Sequence, residues 1–254
     1  MLAPADLVTR PPLRIRYLPG SGSRLVVSFS GVGTRRHQEP PLEFFRLAHG
    51  LARDAAQGEN HVLFVTDQSR SWMNAPGMAE TIAETVADTA ARIGASRVIA
   101  IGNSMGASAA LILASLTKVD AVLALVPQFS VHPEIVPEET RWAFFRNQIA
   151  AWPHPQVPDL AGRATDVTVL HGTSPDEMAH VARFAAMESH FLLPGQDHRL
   201  ARNLHRQGKL APIIENTIAG RYVRARDAVR VAGGLRRAKY EQKHHPQPTE
   251  EMTT

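Results

Sequence analysis

Ser104 stands two residues after Gly102 and two before Gly106, inside the stretch RVIAIGNSMGASAALILASL that runs from 97 to 116. A side chain presented at the apex of a sharp strand-to-helix turn needs small neighbours on either side, because backbone passes close to backbone there. A serine held in that way exposes its hydroxyl. The next peptide N–H, that of Met105, is then placed to bind an oxyanion, and the N-terminus of the following helix adds a favourable dipole. The run VIAIG is of the buried-strand kind and ASAALILASL continues at once as an Ala-rich helix, so GNSMG lies in the strand–turn–helix setting that a nucleophile needs. The same five residues also suit a plain loop between strand and helix, or a phosphate-binding turn.

The elements that must position this serine are legible from periodicity. LRIRYL (13 to 18) and RLVVSFS (24 to 30) read as strands joined by the turn PGSGS, and an antiparallel pair is expected of them. PLEFFRLAHGLARDAAQ (41 to 57) reads as a helix with Leu42, Phe45, Leu47 and Leu51 near one face, followed by the strand HVLFVT (61 to 66). MAETIAETVADTAARIG (78 to 94) has Ile82, Val86 and Ile93 at helical spacing and a glycine stop. DAVLALV (120 to 126), DVTVLH (166 to 171) and HFLLP (190 to 194) are further strands, with helices near 176 to 187 and between 199 and 219. Unbroken apolar strands require cover on both faces, so the predicted fold class is α/β, a mostly parallel sheet with helices on both sides. Segment 128 to 165 departs from the alternation, with helix-like EETRWAFFRNQIAAW among prolines, and is a candidate cap over the carboxyl ends of the strands.

With GNSMG in this setting, the chain over roughly 13 to 220 resembles the α/β-hydrolase superfamily. A serine hydroxyl is a poor nucleophile until a histidine takes its proton and an acid holds that imidazole. The resemblance implies the chain order Ser, acid, His. DVTVLHGTSPDEMAHV then offers Asp176 as the acid, with Glu177 the neighbouring carboxylate and a helix-capping role the other reading of Asp176. HFLLPGQDHRLARNL offers His198 as the base; His205 lies about two turns along the following helix. By the same resemblance VVSFSGVG supplies the second oxyanion amide, that of Val32, although Ser30 stands where such proteins often carry histidine. The implied activity is cleavage of a carboxylic ester through a Ser104–His198–Asp176 triad and an acyl-enzyme. A binding protein that keeps the fold unused, and an acyltransferase or lyase on it, remain as other readings.

Arg70 and Trp72, in the loop DQSRSWMN, and Trp142, Phe144, Phe145 and Trp152, in the cap segment, are candidates either for substrate contact or for packing. SRSWMN and PQFSVHP resemble segments of bacterial α/β-hydrolase-like proteins associated with surface-polysaccharide synthesis, which implies an acylated saccharide as a substrate class beside a small ester. The 254 residues suit one domain, and 44% apolar with 20% charged residues is the balance of a globular chain. There is no cysteine, so disulfides and thiolate chemistry are excluded. No GxGxxG, P-loop or HExxH pattern occurs, so no cofactor and no metal are expected. The N-terminus lacks an apolar signal core and no long apolar run follows, so a cytoplasmic protein without a membrane span is expected. Residues 221 to 254 hold eight Lys/Arg against four Asp/Glu, whereas 1 to 220 hold twenty of each. That stretch is expected to form a basic extension beyond the domain, helical at first and disordered at its polar end, without the aromatic interleaving of a nucleic-acid binder.

Overall fold

A computed structural model describes residues 3–33, 35–50 and 58–244. Its strands are β1 (Ala5–Arg10), β2 (Leu13–Leu18), β3 (Arg24–Phe29), β4 (His61–Asp67), β5 (Arg97–Asn103), β6 (Ala121–Leu125), β7 (Asp166–Gly172), β8 (His190–Leu193) and β9 (Leu235–Arg236). They form one sheet in the order β1-β2-β4-β3-β5-β6-β7-β8-β9. From β4 to β8 all neighbours are parallel, and the outer strands β1, β2 and β9 are antiparallel. The expected pairing of β2 with β3 does not occur, because β4 lies between them and takes β2 as its antiparallel partner. β1 is an addition to the expected strands; its sequence ADLVTR carries no clean alternation, is almost wholly exposed and pairs only with the β2 edge.

Strand residues alternate between two apolar layers. Leu25, Val27, Phe29 and Ala100 face a core shared with α2 (Met78–Arg92) and α3 (Met105–Leu116), and Val26, Ile99 and Ile101 face the other. That second core is closed by α1 (Phe45–His49), α6 (Leu200–Arg206) and α7 (Leu210–Ile218). Both faces are therefore covered, which explains the unbroken apolar runs. Helix α3 is buried at every position from Met105 to Ala114, so it has no polar face to present. Each of Leu111, Ile112 and Leu113 contributes roughly 1.5–3 kcal/mol by that burial.

The expected helix over 138 to 152 reduces to α4 (Ala143–Arg146), because the segment wraps Trp142, Phe145, Ile149 and Trp152 around Val32, Trp72 and Met105 instead of running straight. Of the expected helix over 41 to 57, the described residues show only α1, which ends where Gly50 turns to the left-handed conformation at φ 76°; residues 51–57 lie outside the described residues. Residues 222–244 do not stand apart from the domain. α8 (Tyr222–Val231) buries Ala225 and Val229, β9 pairs with β8, and α9 (Arg237–His244) follows; the polar end from 245 on lies outside the described residues. Among the described residues no helix is long and apolar enough to cross a membrane.

Sheet order reverses at β3, whose neighbours are β4 on one side and β5 on the other. In a parallel sheet the crevice at such a point opens at the carboxyl ends of the strands. Phe29 is in register with Gly102, so the loops after β3 and β5 leave the sheet side by side. This juxtaposition brings the Val32 segment to Ser104.

Candidate active site

Ser104 has φ 58° and ψ −126°, a conformation that non-glycine residues rarely adopt and that concentrates at functional sites. Its N–H donates to Leu125 O at 2.8 Å, tying the bend to β6. The flanking glycines are sterically required. A Cβ on Gly102 would lie 2.1 Å from Gly106 O, and one on Gly106 would lie 2.5 Å from Phe29 O. The first turn of α3 thus rests directly on the ends of β5 and β3.

His198 follows β8 and the Pro194–Gly195 turn. Its Nε2 lies 2.8 Å from Ser104 Oγ and its Nδ1 lies 2.8 Å from Glu177 Oε1. An ionised carboxylate only accepts, so Nδ1–H donates to Glu177 and Nε2 is left to accept the serine proton. The acid facing the histidine is therefore Glu177, and the expectation of Asp176 is corrected. Both residues sit in the first turn of α5 (Pro175–Val181), where neighbours point about 100° apart. Glu177, His180 and Val181 form the buried stripe, which leaves Asp176 exposed to solvent. That i, i+3, i+4 pattern is the signal in the sequence that would have favoured Glu177.

Burial pushes the Glu177 carboxyl up, but the His198 hydrogen bond and the charges of His198, His171 and Arg141 outweigh it and hold the group down at about 2. Arg141 comes from the candidate cap, segment 128 to 165. Its Nη1 donates to Glu177 Oε1 at 3.1 Å, and its Nε donates to both oxygens of Glu139 at 3.0 Å. Glu139 also accepts from His180 Nε2 at 2.9 Å. Segment 128 to 165 is thereby tied to Glu177 by a charge that no spacing in the sequence marks, since Arg141 and Glu177 are 36 residues apart.

Val32 and Met105 share one apolar cluster with Trp72, Val131 and Phe145. Among the described residues neither the Val32 nor the Met105 N–H has a hydrogen-bond acceptor, as donors reserved for a reacting oxygen would require. The Val32 loop is held from behind. Ser30 Oγ donates to Pro41 O at 2.8 Å, and Arg70 Nε donates to Val32 O at 3.3 Å. Arg70 Nη1 and Nη2 donate to the carbonyls of Gln68 and Gln38, and the guanidinium lies over the Phe145 ring. Arg70 is 4% exposed with all three nitrogens engaged, so it braces this loop and the expected substrate contact is corrected. Trp72 is likewise buried, and its Nε1 donates to Gln128 Oε1 at 3.1 Å. Its expected substrate contact is replaced by a contact with the interior. Trp142 remains half-buried beside the site, its ring centroid 5.8 Å from that of His198 and its buried Nε1 without a partner among the described residues.

Gln128 was not anticipated. It follows β6 and donates from Nε2 to Ser104 Oγ at 3.0 Å. No motif marks an amide at this place; only its position at the carboxyl end of a strand does. Among the described residues no group of three or more His, Asp or Glu is arranged to hold a metal ion.

Glu43 Oε1 accepts the Gly31 N–H at 3.1 Å, beneath the same loop. Burial pushes this carboxyl up to about 7, with the Gly31 hydrogen bond offsetting part of the rise from 4.5. Between about pH 4.5 and 7 the folded chain keeps a proton that the unfolded chain has lost, so stability falls as pH rises through that window. Glu43→Gln keeps the acceptor for Gly31 and cannot ionise. It is expected to match the wild type near pH 4 and to exceed it by about 3 kcal/mol at pH 8 in denaturant melts. An identical pH dependence in both proteins would show that the carboxyl is ionised in the fold.

No family model matches the sequence, and no curated protein matches it. The fold is similar to that of solved structures. The capsule O-acetyltransferase of Neisseria meningitidis serogroup A is 14% identical with a TM-score of 0.53, covering 85% of this chain and 96% of that one. An α/β-hydrolase candidate of unknown function from Agrobacterium tumefaciens is 13% identical with a TM-score of 0.51, covering 85% and 97%. With the sheet order, the strained serine between close-packed glycines and these likenesses together, the chain is an α/β-hydrolase-fold protein.

Proposed function

We propose that the chain is a serine hydrolase that cleaves a carboxylic ester through an acyl-enzyme. The observation that carries this reading is the unbroken line from Ser104 Oγ to His198 Nε2 and from His198 Nδ1 to Glu177, at 2.8 Å each. Ser104 Oγ attacks the acyl carbon as His198 Nε2 takes its proton, and the N–H groups of Val32 and Met105 receive the charge on the carbonyl oxygen. His198 then passes the proton to the leaving alkoxide. Water, activated by the same imidazole, releases the acid. Glu177 keeps Nδ1 protonated and stabilises the imidazolium that forms at each proton transfer.

The half-buried Trp142 offers an apolar face and an unpartnered N–H beside His198, which suits an ester with both apolar and polar parts, such as an acylated sugar. An acceptor hydroxyl in place of water turns the same cycle into acyl transfer. The likeness to a capsule O-acetyltransferase makes saccharide acceptors the first to try. The test is covalent labelling with a fluorophosphonate followed by peptide mass analysis. Modification is expected at Ser104 alone, and an unlabelled protein would favour a binding role on an unused fold. Product analysis of an activated ester, with and without a sugar acceptor, separates hydrolysis from transfer.

A further inference from the structure

Ser104 Oγ has a second polar neighbour besides the histidine. Gln128 Nε2 lies 3.0 Å from it, and the orientation of that amide is locked. The Trp72 indole N–H only donates, and it bonds Gln128 Oε1 at 3.1 Å, so the nitrogen must face the serine. The backbone around Gln128 is pinned as well. Ser108 Oγ donates to Gln128 O at 2.8 Å, and His171 Nε2 donates to Pro127 O at 2.8 Å. Val126, β-branched and directly before a proline, is forced to φ 46° at the start of this bend. Gln128 is 1% exposed, so water does not replace its N–H. A buried amide whose oxygen is held by Trp72, whose backbone is pinned by Ser108 and lies two residues after the strained Val126, and whose nitrogen is aimed at the reactive oxygen is more than packing requires.

We infer that Gln128 is a catalytic residue that assists departure of Ser104 Oγ when the acyl-enzyme breaks down, an inference that rests on the hydrolase reading above. A hydrogen bond accelerates a step only where it is stronger in the transition state than before it. In the acyl-enzyme Oγ is an ester oxygen and accepts weakly. When the second tetrahedral intermediate collapses, the bond from the acyl carbon to Oγ breaks and its electron pair stays on Oγ. The carbonyl re-forms and His198 Nε2 returns the proton to Oγ. The Gln128 N–H meets negative charge on Oγ during that collapse. In acylation the same N–H already bonds the free Ser104 hydroxyl, so less of its strengthening is gained on the way to that transition state, and it assists the first step less.

The test uses 4-nitrophenyl acetate with the full chain. Nitrophenolate release by stopped flow reports acylation, and decay of the acetylated protein by intact mass reports deacylation. Gln128→Met keeps the shape and removes the donor. It is expected to slow deacylation by about 10- to 100-fold while changing acylation less than about threefold. kcat and KM should therefore fall together, with kcat/KM little changed. Trp72→Phe frees the amide to turn and is expected to shift the same ratio in the same direction by a smaller factor. Melting temperature and the rate of fluorophosphonate labelling control for loss of structure. Equal slowing of both steps, or unchanged decay of the acetylated protein, would overturn the role of Gln128 while leaving Ser104 as nucleophile. A wild-type protein that neither labels nor acetylates would remove both readings.

Discussion

Alanine in place of Ser104 is expected to lower kcat/KM for an activated ester by about 10⁵-fold, close to 7 kcal/mol of transition-state stabilisation. The magnitude follows from what is lost. Without Oγ there is no acyl-enzyme, and only the two amides and substrate binding remain to stabilise attack by water. The fold is expected to survive. The backbone bond from residue 104 to Leu125 O is unaffected, the glycine contacts on either side are the same, and alanine is no more strained at φ 58° than serine. A melting temperature within a few degrees of wild type, beside the loss of turnover on 4-nitrophenyl acetate, checks both halves. Turnover within tenfold of wild type would take the nucleophile's role from this residue.

The two neighbouring carboxylates of α5 separate more sharply. Glu177→Gln is expected to cost about 10³–10⁴ in kcat, because an amide can present its N–H to His198 and stabilise the wrong tautomer. Asp176→Asn should leave kcat within about twofold of wild type, its side chain being in solvent. The pair also differs in stability. The Glu177 carboxyl is held at about 2, below its ordinary 4.5, so its contribution is present above about pH 4.5 and is lost as pH falls towards 2. At neutral pH this amounts to about 3 kcal/mol, and removing the charge leaves Arg141 with Glu139 alone. Denaturant melts at pH 7 are therefore expected to show Glu177→Gln clearly less stable than Asp176→Asn. Comparable losses of activity in the two variants would return the acid's role to an open choice between them.

What the sequence determined by itself was local. Close backbone approach demands glycine at 102 and 106, so the bend at Ser104 is written in five consecutive residues. Unbroken apolar runs demand cover on both faces, so the layered α/β fold follows from VIAIG, VLALV and VTVLH. His198 was found through its place after a short strand and a Pro–Gly turn, and the resemblance that this completes. Tertiary structure decided everything that depends on one element's rotation or placement against another. Which of Asp176 and Glu177 meets the imidazole is set by the phase of α5, and adjacent helical residues differ by about 100°. β2 pairs with β4 and not with β3, because hydrogen bonds across a sheet choose neighbours by packing and not by order in the chain. Arg70 carries the charge of a substrate ligand, yet its side chain is consumed by three carbonyls, two in the segment between β3 and α1 and one in its own loop. Gln128 and Arg141 reach Ser104 and Glu177 across 24 and 36 residues, distances over which no spacing rule operates. Local constraints act through bonds and near neighbours and so leave a pattern in the chain. Contacts between distant segments exist only once the layers have packed.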